Sequence, residues 1–239
     1  MDKTYDFQAG EVLLVNKPLH WTSFDVVNKL RYEMKQKLGI KKIKVGHAGT
    51  LDPLADGLLI ICTGKKTKEI ESFMGLEKKY SGTITLGSTT PSYDLETEID
   101  QEFPLDDLSE KAIISEVENM VGSYAQYPPI FSAKKVKGKK AYDLARAGKE
   151  VKLEPKLVTI HSFDIPQIDL PQVHFEITCS KGTYIRSIAH DLGKRLNNGG
   201  HLSALRRESI GTYDLKNANS VTEWIEIIQS SDMNNNPSI

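Results

Sequence analysis

A carboxylate held in a glycine-bracketed turn is the feature of this sequence best suited to chemistry. Residues 46–57 read Gly-His-Ala-Gly-Thr-Leu-Asp-Pro-Leu-Ala-Asp-Gly. Pro53 keeps Asp52 out of the helical region and fixes its own backbone, while Gly46, Gly49 and Gly57 permit bends that a regular element would not need. An isolated Asp-Pro pair is commonly a solvated turn. Here His47 precedes the pair and the apolar run Leu58 to Cys62 follows it, so the acid stands at the mouth of a buried strand. The flanks favour an acid that is aimed.

An aimed carboxylate can act as a base or a nucleophile, and an anomeric carbon is one natural target. Asp56 lies four residues further on and offers the second carboxylate that a glycoside hydrolase needs. No aromatic sugar platform is evident beside the two acids. Cys62 and Cys179 are too few for a disulfide framework, and no zinc-type spacing occurs. No metal and no small-molecule cofactor is therefore expected.

The elements that must position this acid read as alternating strands and helices, without internal repeats. Residues Glu11 to Asn16 form a strand pattern. Ser23 is a plausible helix cap, and Val26, Val27, Leu30, Met34 and Leu38 recur at helical spacing until Gly39 ends the run. After the Asp52 turn come a strand over 58–62, a short helix near 66–73 and an alternating strand over 80–86. Residues 94–107 read as an exposed acidic loop, and 109–121 as an amphipathic helix closed by Gly122. Strands follow over 158–165 and 173–179, then helices over 184–196 and 221–229, and a frayed tail over 232–239. Hairpin-like neighbours among these strands predict an α+β protein with a mixed, largely antiparallel central sheet flanked by helices.

Of the 239 residues, 39% are hydrophobic and 26% charged, and the formal net charge is only -1. That average conceals a segregated distribution. Residues 29–44 carry seven basic side chains against the single acid Glu33, and residues 134–140 carry five lysines and no acid. Ten acids oppose only Lys111 between Asp94 and Glu118. Phosphate attraction depends on the field within a Debye length of ~10 Å, so basic patches near a carboxylate-bearing cleft suit a nucleic-acid backbone. Each lysine run also reads as an ordinary solvated face. A noncatalytic RNA-binding module would keep these lysines and have no need of Asp52. The start of the chain lacks the apolar core of a signal peptide, and no apolar run approaches the ~20 residues of a membrane span. A cytoplasmic protein is expected.

The 46–57 block resembles the central motif of the tRNA pseudouridine synthase B family, Gly-His-Thr-Gly-Thr-Leu-Asp-Pro-Leu-Ala-Thr-Gly. Ten of the twelve positions match. Ala48 and Asp56 are the departures. Four further segments follow the same family in order, so the likeness runs from Val12 to about Trp224. They are Asn16-Lys17-Pro18-Leu19-His20-Trp21-Thr22-Ser23, with His20 where the family has glycine; Tyr80 after Lys78-Lys79; the stretch 127–142, which resembles a loop and strand lining an RNA cleft; and Cys179-Ser180-Lys181-Gly182-Thr183-Tyr184-Ile185-Arg186, followed by Leu205 in His201-Leu202-Ser203-Ala204-Leu205-Arg206-Arg207.

The resemblance implies a pseudouridine synthase catalytic fold and roles for individual residues. Asp52 would be the catalytic aspartate, and Arg186 its guanidinium partner, holding the acid ionised in a dry pocket. Tyr80 would stack on an extruded base and help to move a proton. His47 would help to displace the target base, Tyr184 would contact the uracil, and Leu205 would pack against it. Lys17 falls in a family substrate-binding element, although Lys17-Pro18 reads equally as a strand end before a helix. Gly182 would allow the strand to turn, with Thr183 capping the helix that follows.

The implied reaction is isomerisation of uridine to pseudouridine at position 55, in the T-loop of tRNA, by a base-flipping enzyme. The expected partner is the tRNA T-stem-loop, with no membrane, and the expected state is a monomer. Family members are also credited with assisting tRNA folding. Residues 1–231 are expected to form a single catalytic domain. The C-terminal RNA-binding domain common in bacterial relatives is expected to be absent.

Overall fold

The computed structural model describes residues 4–132, 135–136, 139–140 and 153–231. Side chains of the 134–140 lysine run, residues 133–134, 137–138 and 141–142 of the expected cleft-lining stretch, and the 232–239 tail lie outside the described residues. The chain divides into two compact units, one made of 1–78 and 206–239 and the other of 79–205.

In the first unit, strand β1 (Val12–Lys17) lies between β3 (Ala55–Thr63), antiparallel to it, and the short parallel strand β14 (Asn219–Ser220). Strand β2 (Val45–His47) pairs antiparallel with β3. The apolar run expected at 58–62 is buried on both faces, as an apolar run without alternation requires. Leu59 and Ile61 point into a cluster with Leu13, Val15, Leu30, Met34 and Trp224. On the other face Leu58, Ile60 and Cys62 meet Ala48, Phe73 and Ile210. Burial pushes the Cys62 thiol up to about 11.

Helix α1 (Ser23–Leu38) covers one face, turning Val26, Val27, Leu30 and Met34 inward. Its cap is Thr22 rather than the expected Ser23. Thr22 Oγ1 accepts the Asp25 N–H, and the Asp25 carboxylate accepts the Thr22 N–H in return, a reciprocal box that satisfies two free donors. Gly39, left-handed at φ 64°, ends the helix as its position predicts. A 3-10 turn over Gly64–Glu69 leads into α2 (Ile70–Gly75).

In the second unit, β4 (Lys78–Leu86), which begins one residue before the division, is followed by β5 (Ser88–Thr89) and β6 (Gln101–Glu102), which pair with each other. Helix α3 (Glu110–Asn119) falls within the amphipathic run expected at 109–121; Ser109 caps it by accepting the Ala112 N–H, and β7 (Gly122–Gln126) follows. A short hairpin, β8 (Lys135–Val136) with β9 (Lys139–Lys140), comes before the long antiparallel pair β10 (Lys156–Asp169) and β11 (Gln172–Cys179). Strand order in this unit is β4-β11-β10-β7, with β12 (Gly200–Ile210) beside β4; β12 continues into the first unit, where it lies next to β3 and pairs with β13 (Tyr213–Asp214). Helix α4 (Ile185–Arg195) belongs to the second unit and α5 (Val221–Ser230) to the first. The result is the mixed, largely antiparallel α+β architecture expected.

One expectation fails here. Asp94 opens the supposedly solvated loop 94–107 but is only 5% exposed. Thr90 and Ser92 both donate side-chain hydrogen bonds to its carbonyl, and Leu202 of β12 donates its N–H to the carbonyl of Tyr93. The hydroxyl residues before the acidic run draw its first member inward, while residues 98–102 stay at the surface.

Candidate active site

In the first unit, the turn between β2 and β3 carries Asp52, which is half-buried. Its backbone is tied on both sides. The Ala48 N–H bonds to the Ile60 carbonyl at 2.9 Å, and the Ala55 N–H closes onto the Asp52 carbonyl at 3.1 Å. Ser23, freed from capping, is buried and grips Leu51. Its Oγ accepts the Leu51 N–H at 2.8 Å and donates to the Leu51 carbonyl at 3.1 Å. The residue bearing the carboxylate is therefore preceded by a fixed peptide.

Arg207, 1% exposed and on β12, completes the frame. Its Nε donates to the Leu58 carbonyl at 2.7 Å and its Nη2 to the Gly49 carbonyl at 3.2 Å. Gly57, at φ 104°, passes so close that a Cβ would stand 2.5 Å from the Arg207 carbonyl oxygen. A left-handed backbone and close strand contact both require glycine there. Arg207 and Ser23 as supports were not visible as such in the sequence. Arg207 faces inward whereas its identical neighbour Arg206 faces out, a difference that residue type does not signal.

The departures from the family motif have physical explanations. Ala48 is fully buried in the apolar cluster beneath β3, where a small apolar group fits. His20 takes a left-handed φ of 67°, the conformation glycine would favour, and its N–H reaches the Pro53 carbonyl at 2.7 Å. Asp56 is held by Arg206 through two hydrogen bonds of 3.0 and 2.6 Å. A carboxylate held in this bidentate way lacks the freedom required of a second glycosidase acid.

His47 is half-buried, and burial first, then the Arg207 guanidinium, lowers its pKa below the usual 6.5, with a backbone hydrogen bond to Gly49 opposing. It is accordingly neutral at pH 7. Lys17 is fully buried at the end of β1, and its ammonium donates to the Pro18 and Trp21 carbonyls at 2.9 and 2.6 Å. Burial lowers it to about 8, against the pull of Asp56 and Asp52. Lys17 thus fastens the strand end to the start of α1, the reading its Lys-Pro sequence equally supports, and offers no exposed surface to a ligand.

The second unit holds the other expected residues. Tyr80 lies in β4 and is 8% exposed. Arg186 projects from the first turn of α4 and is 5% exposed. It donates to the carbonyls of Ser92 and Phe131 at 3.2 and 3.0 Å and faces the Asp94 carboxylate at 3.5 Å. Asp94 is a partner that the sequence did not reveal. Leu205 is half-buried on β12.

Thr183 does not cap α4; its hydroxyl donates to the Ser180 carbonyl at 2.8 Å. Tyr184, still extended, stands at the cap position just before the helix, and Gln126 holds that residue. Its Oε1 accepts the Tyr184 N–H at 2.8 Å and its Nε2 donates to the Tyr184 carbonyl at 3.1 Å, as a neighbouring strand would. Gln126 also donates to the Tyr124 hydroxyl, which in turn reaches Asp191 at 3.4 Å. Gly182, at φ 78°, makes the turn as expected. No cluster of potential metal ligands occurs among the described residues, and no helix among them is long and apolar enough to cross a membrane.

Comparison with known proteins gives a consistent result. Residues 35–185 match the TruB family pseudouridylate synthase (N terminal domain). The tRNA pseudouridine synthase B of Flavobacterium johnsoniae is 53% identical over 225 residues, covering 94% of this chain and 98% of that protein. The one from Phocaeicola vulgatus is 50% identical over 224 residues, covering 92% and 95%. Among solved structures, a Cbf5-Nop10-Gar1 complex contains a chain that is 25% identical with a TM-score of 0.68, over 92% of this chain. The archaeal box H/ACA sRNP Nop10-Cbf5 complex gives 22% and 0.65, over 93% of this chain, a likeness of fold. This chain spans about half the length of each of those two solved chains, 54% in both cases. A profile match over more than half the chain, joined to relatives about half identical along nearly all of it, places the chain in the TruB family of pseudouridylate synthases.

Proposed function

We propose that this pseudouridine synthase acts on tRNA, isomerising uridine 55 in the T-stem-loop, as a cytoplasmic monomer whose residues 1–231 work as one catalytic domain. The observation that carries this reading is the frame around the Asp52 turn, built by Ser23, Arg207 and Gly57, which holds the motif shared with the family. The extent of identity to relatives named tRNA pseudouridine synthase B supports tRNA as the substrate.

In this reading Asp52 is the reacting carboxylate, with Tyr80 and Arg186 as the other catalytic groups. His47, neutral at pH 7, displaces the base without adding charge to the pocket. Tyr184 and Leu205 contact the uracil, and Lys17 acts on the substrate only through the β1–α1 junction that it fastens. The N1–C1′ bond breaks, the enclosed uracil rotates, C5 bonds to C1′, and the proton lost from C5 is balanced by one taken up at N1. Asp52 enters by adding to C1′, by adding to C6, or by taking a ribose proton. Extrusion of the nucleotide costs a few kcal/mol and is easiest in a loop.

The test is incubation with an unmodified tRNA transcript, followed by mapping of every modified uridine. The expected product is a single pseudouridine at position 55. Asp52→Asn should abolish it while tRNA binding survives. Product formed by the Asn variant would overturn the catalytic assignment, and leave the chain as an RNA-binding protein whose chemistry lies elsewhere.

A further inference from the structure

A connected set of cations in the first unit has no part in the site described above. The end of α1, the segment after it and the 3-10 turn surround adjoining recesses. The largest, about 570 Å³, is lined by Arg31, Lys35, Lys41, Lys42 and Lys44 around Ile43. Lys65 and Lys68 extend the lining on the next recess, where the Gly64 N–H bonds to the Lys44 carbonyl at 2.9 Å and ties the two segments together. A third recess runs from Arg31 and Lys44 to Val45 and Gly46.

None of these seven cations makes an ion pair among the described residues. Nearby acids are committed elsewhere: Glu33 to Lys29, and Glu69 to Lys66. The Arg31 guanidinium lies 5.8 Å from the Phe24 ring centroid, and its buried Nε has no acceptor. Seven like charges left close together repel one another, at a cost to the folded state that salt screens in part and a bound polyanion relieves further. Lys41, Lys42, Lys44, Lys65 and Lys68 are exposed, so their ammonium groups are open to one.

The location identifies that anion. Lys44 leads directly into β2, and three residues of strand, ~10 Å, separate it from His47 at the edge of the Asp52 turn. An open, elongated row of point charges suits a chain of phosphates better than a single compact ion. Resting on the assignment of RNA as substrate, we propose that this track is a phosphodiester-binding site that grips the RNA backbone within a few nucleotides of the target uridine. Its role is to anchor the strand from which the base is drawn.

The experiment compares wild type with Lys41→Gln/Lys42→Gln/Lys44→Gln, using T-stem-loop RNA and whole tRNA across a salt series. The substituted side chains are exposed, and unfolding curves of both proteins establish that the variant folds. Each phosphate contact contributes ~0.7 to 0.9 to the salt slope of affinity, so the slope should fall by about 2 to 3 and KM rise at least ~10-fold, while kcat at saturating RNA changes little. Because the track adjoins the turn, the stem-loop should show the loss as fully as whole tRNA. A control outside the track, Lys111→Gln/Lys216→Gln, should leave KM in place. Unchanged KM and slope in the triple variant, or a loss seen only with whole tRNA, would overturn the proposal. If wild type makes no pseudouridine, the substrate reading fails, and direct binding of stem-loop RNA to the two proteins still decides the track.

Discussion

Ser23 and Leu51 are joined by two hydrogen bonds through one hydroxyl, which accepts the Leu51 N–H and donates to its carbonyl. Twenty-eight residues separate them in sequence. Ser23 opens a helix whose cap is already supplied by Thr22, so its side chain is available for this purpose. Leu51 is 3% exposed, and its peptide leads straight to Asp52. A helix start and the reactive turn are thereby a single rigid construction.

Replacing Ser23 with Ala removes the partner of two backbone groups in a buried setting. Each unsatisfied group costs ~1 to 3 kcal/mol, though relaxation of the turn recovers part of it. Urea unfolding should show a loss of about 2 kcal/mol. The larger effect should be on turnover, because small misplacement of a reacting group costs on the order of 10²-fold in rate. Ser23→Ala with full kcat would mean that the clamp does not govern the carboxylate.

Asp56 and Asp52 are both acids of the same motif, and their substitution should give opposite results. The Asp56–Arg206 pair is partly solvated, with side-chain exposures of 26% and 49%, and such pairs contribute ~0 to 1 kcal/mol. Asp56→Asn should therefore retain most activity and melt close to wild type. Pseudouridine formation that depended on Asp56 as strongly as on Asp52 would point to two-acid chemistry. The comparison needs only a single-turnover assay on one RNA.

Gln126 offers a third case, in which a side chain stands in for a strand edge. Gln126→Leu keeps the volume but strips the Tyr184 N–H and carbonyl of their partners, so the start of α4 should loosen. Arg186 lies in the first turn of that helix. A fall in kcat with KM for RNA largely kept is the expected pattern; a rise in KM alone would show that Gln126 serves binding rather than the catalytic groups.

What the sequence revealed follows from where the determining interactions lie along the chain. The strand over 58–62 was legible because burial on both faces leaves an uninterrupted apolar run, and the α1 pattern because its inward residues recur at helical spacing. The end of α1 was equally local, since Gly39 alone supplies the left-handed cap. Strand β12 was not recognised. Its exposed Arg206 and buried Arg207 are adjacent and identical, so residue type gives no contrast between the two faces. The Asp52 turn was visible through its glycines and proline, whereas its supports come from Ser23 and Arg207, far away in sequence. Asp94 was misassigned for a related reason: an acid among acids reads as solvated, and its burial depends on Thr90, Ser92 and Arg186 together. The cap of α1 differs by one residue because Thr22 and Ser23 are both competent, and the tertiary contact to Leu51 decides between them.

Asp191 gives a pH-dependent prediction with a definite sign. Burial raises its carboxyl from the ordinary 3.8 to about 6, with the Tyr124 hydroxyl, Arg195 and Lys194 opposing. Burial likewise pushes the Tyr124 phenol above its usual value of 10.0, with Asp191 adding to the rise. A carboxyl whose pKa is higher in the folded state binds its proton more tightly there. Its favourable contribution is fully present below about 3.8 and is lost as pH rises to about 6; above that, the buried charge is a standing cost. About two pK units at about 1.4 kcal/mol each set an upper bound near 3 kcal/mol, and solvent relaxation should reduce it to ~1 to 2 kcal/mol. Asp191→Asn keeps an oxygen to accept the Tyr124 hydroxyl and removes the charge. The variant should be more stable than wild type at pH 7.5, and the gap should close as pH falls from 6 toward 4. Parallel stability curves across that range, or a variant less stable at pH 7.5, would show that the ionised Asp191 is satisfied by its neighbours.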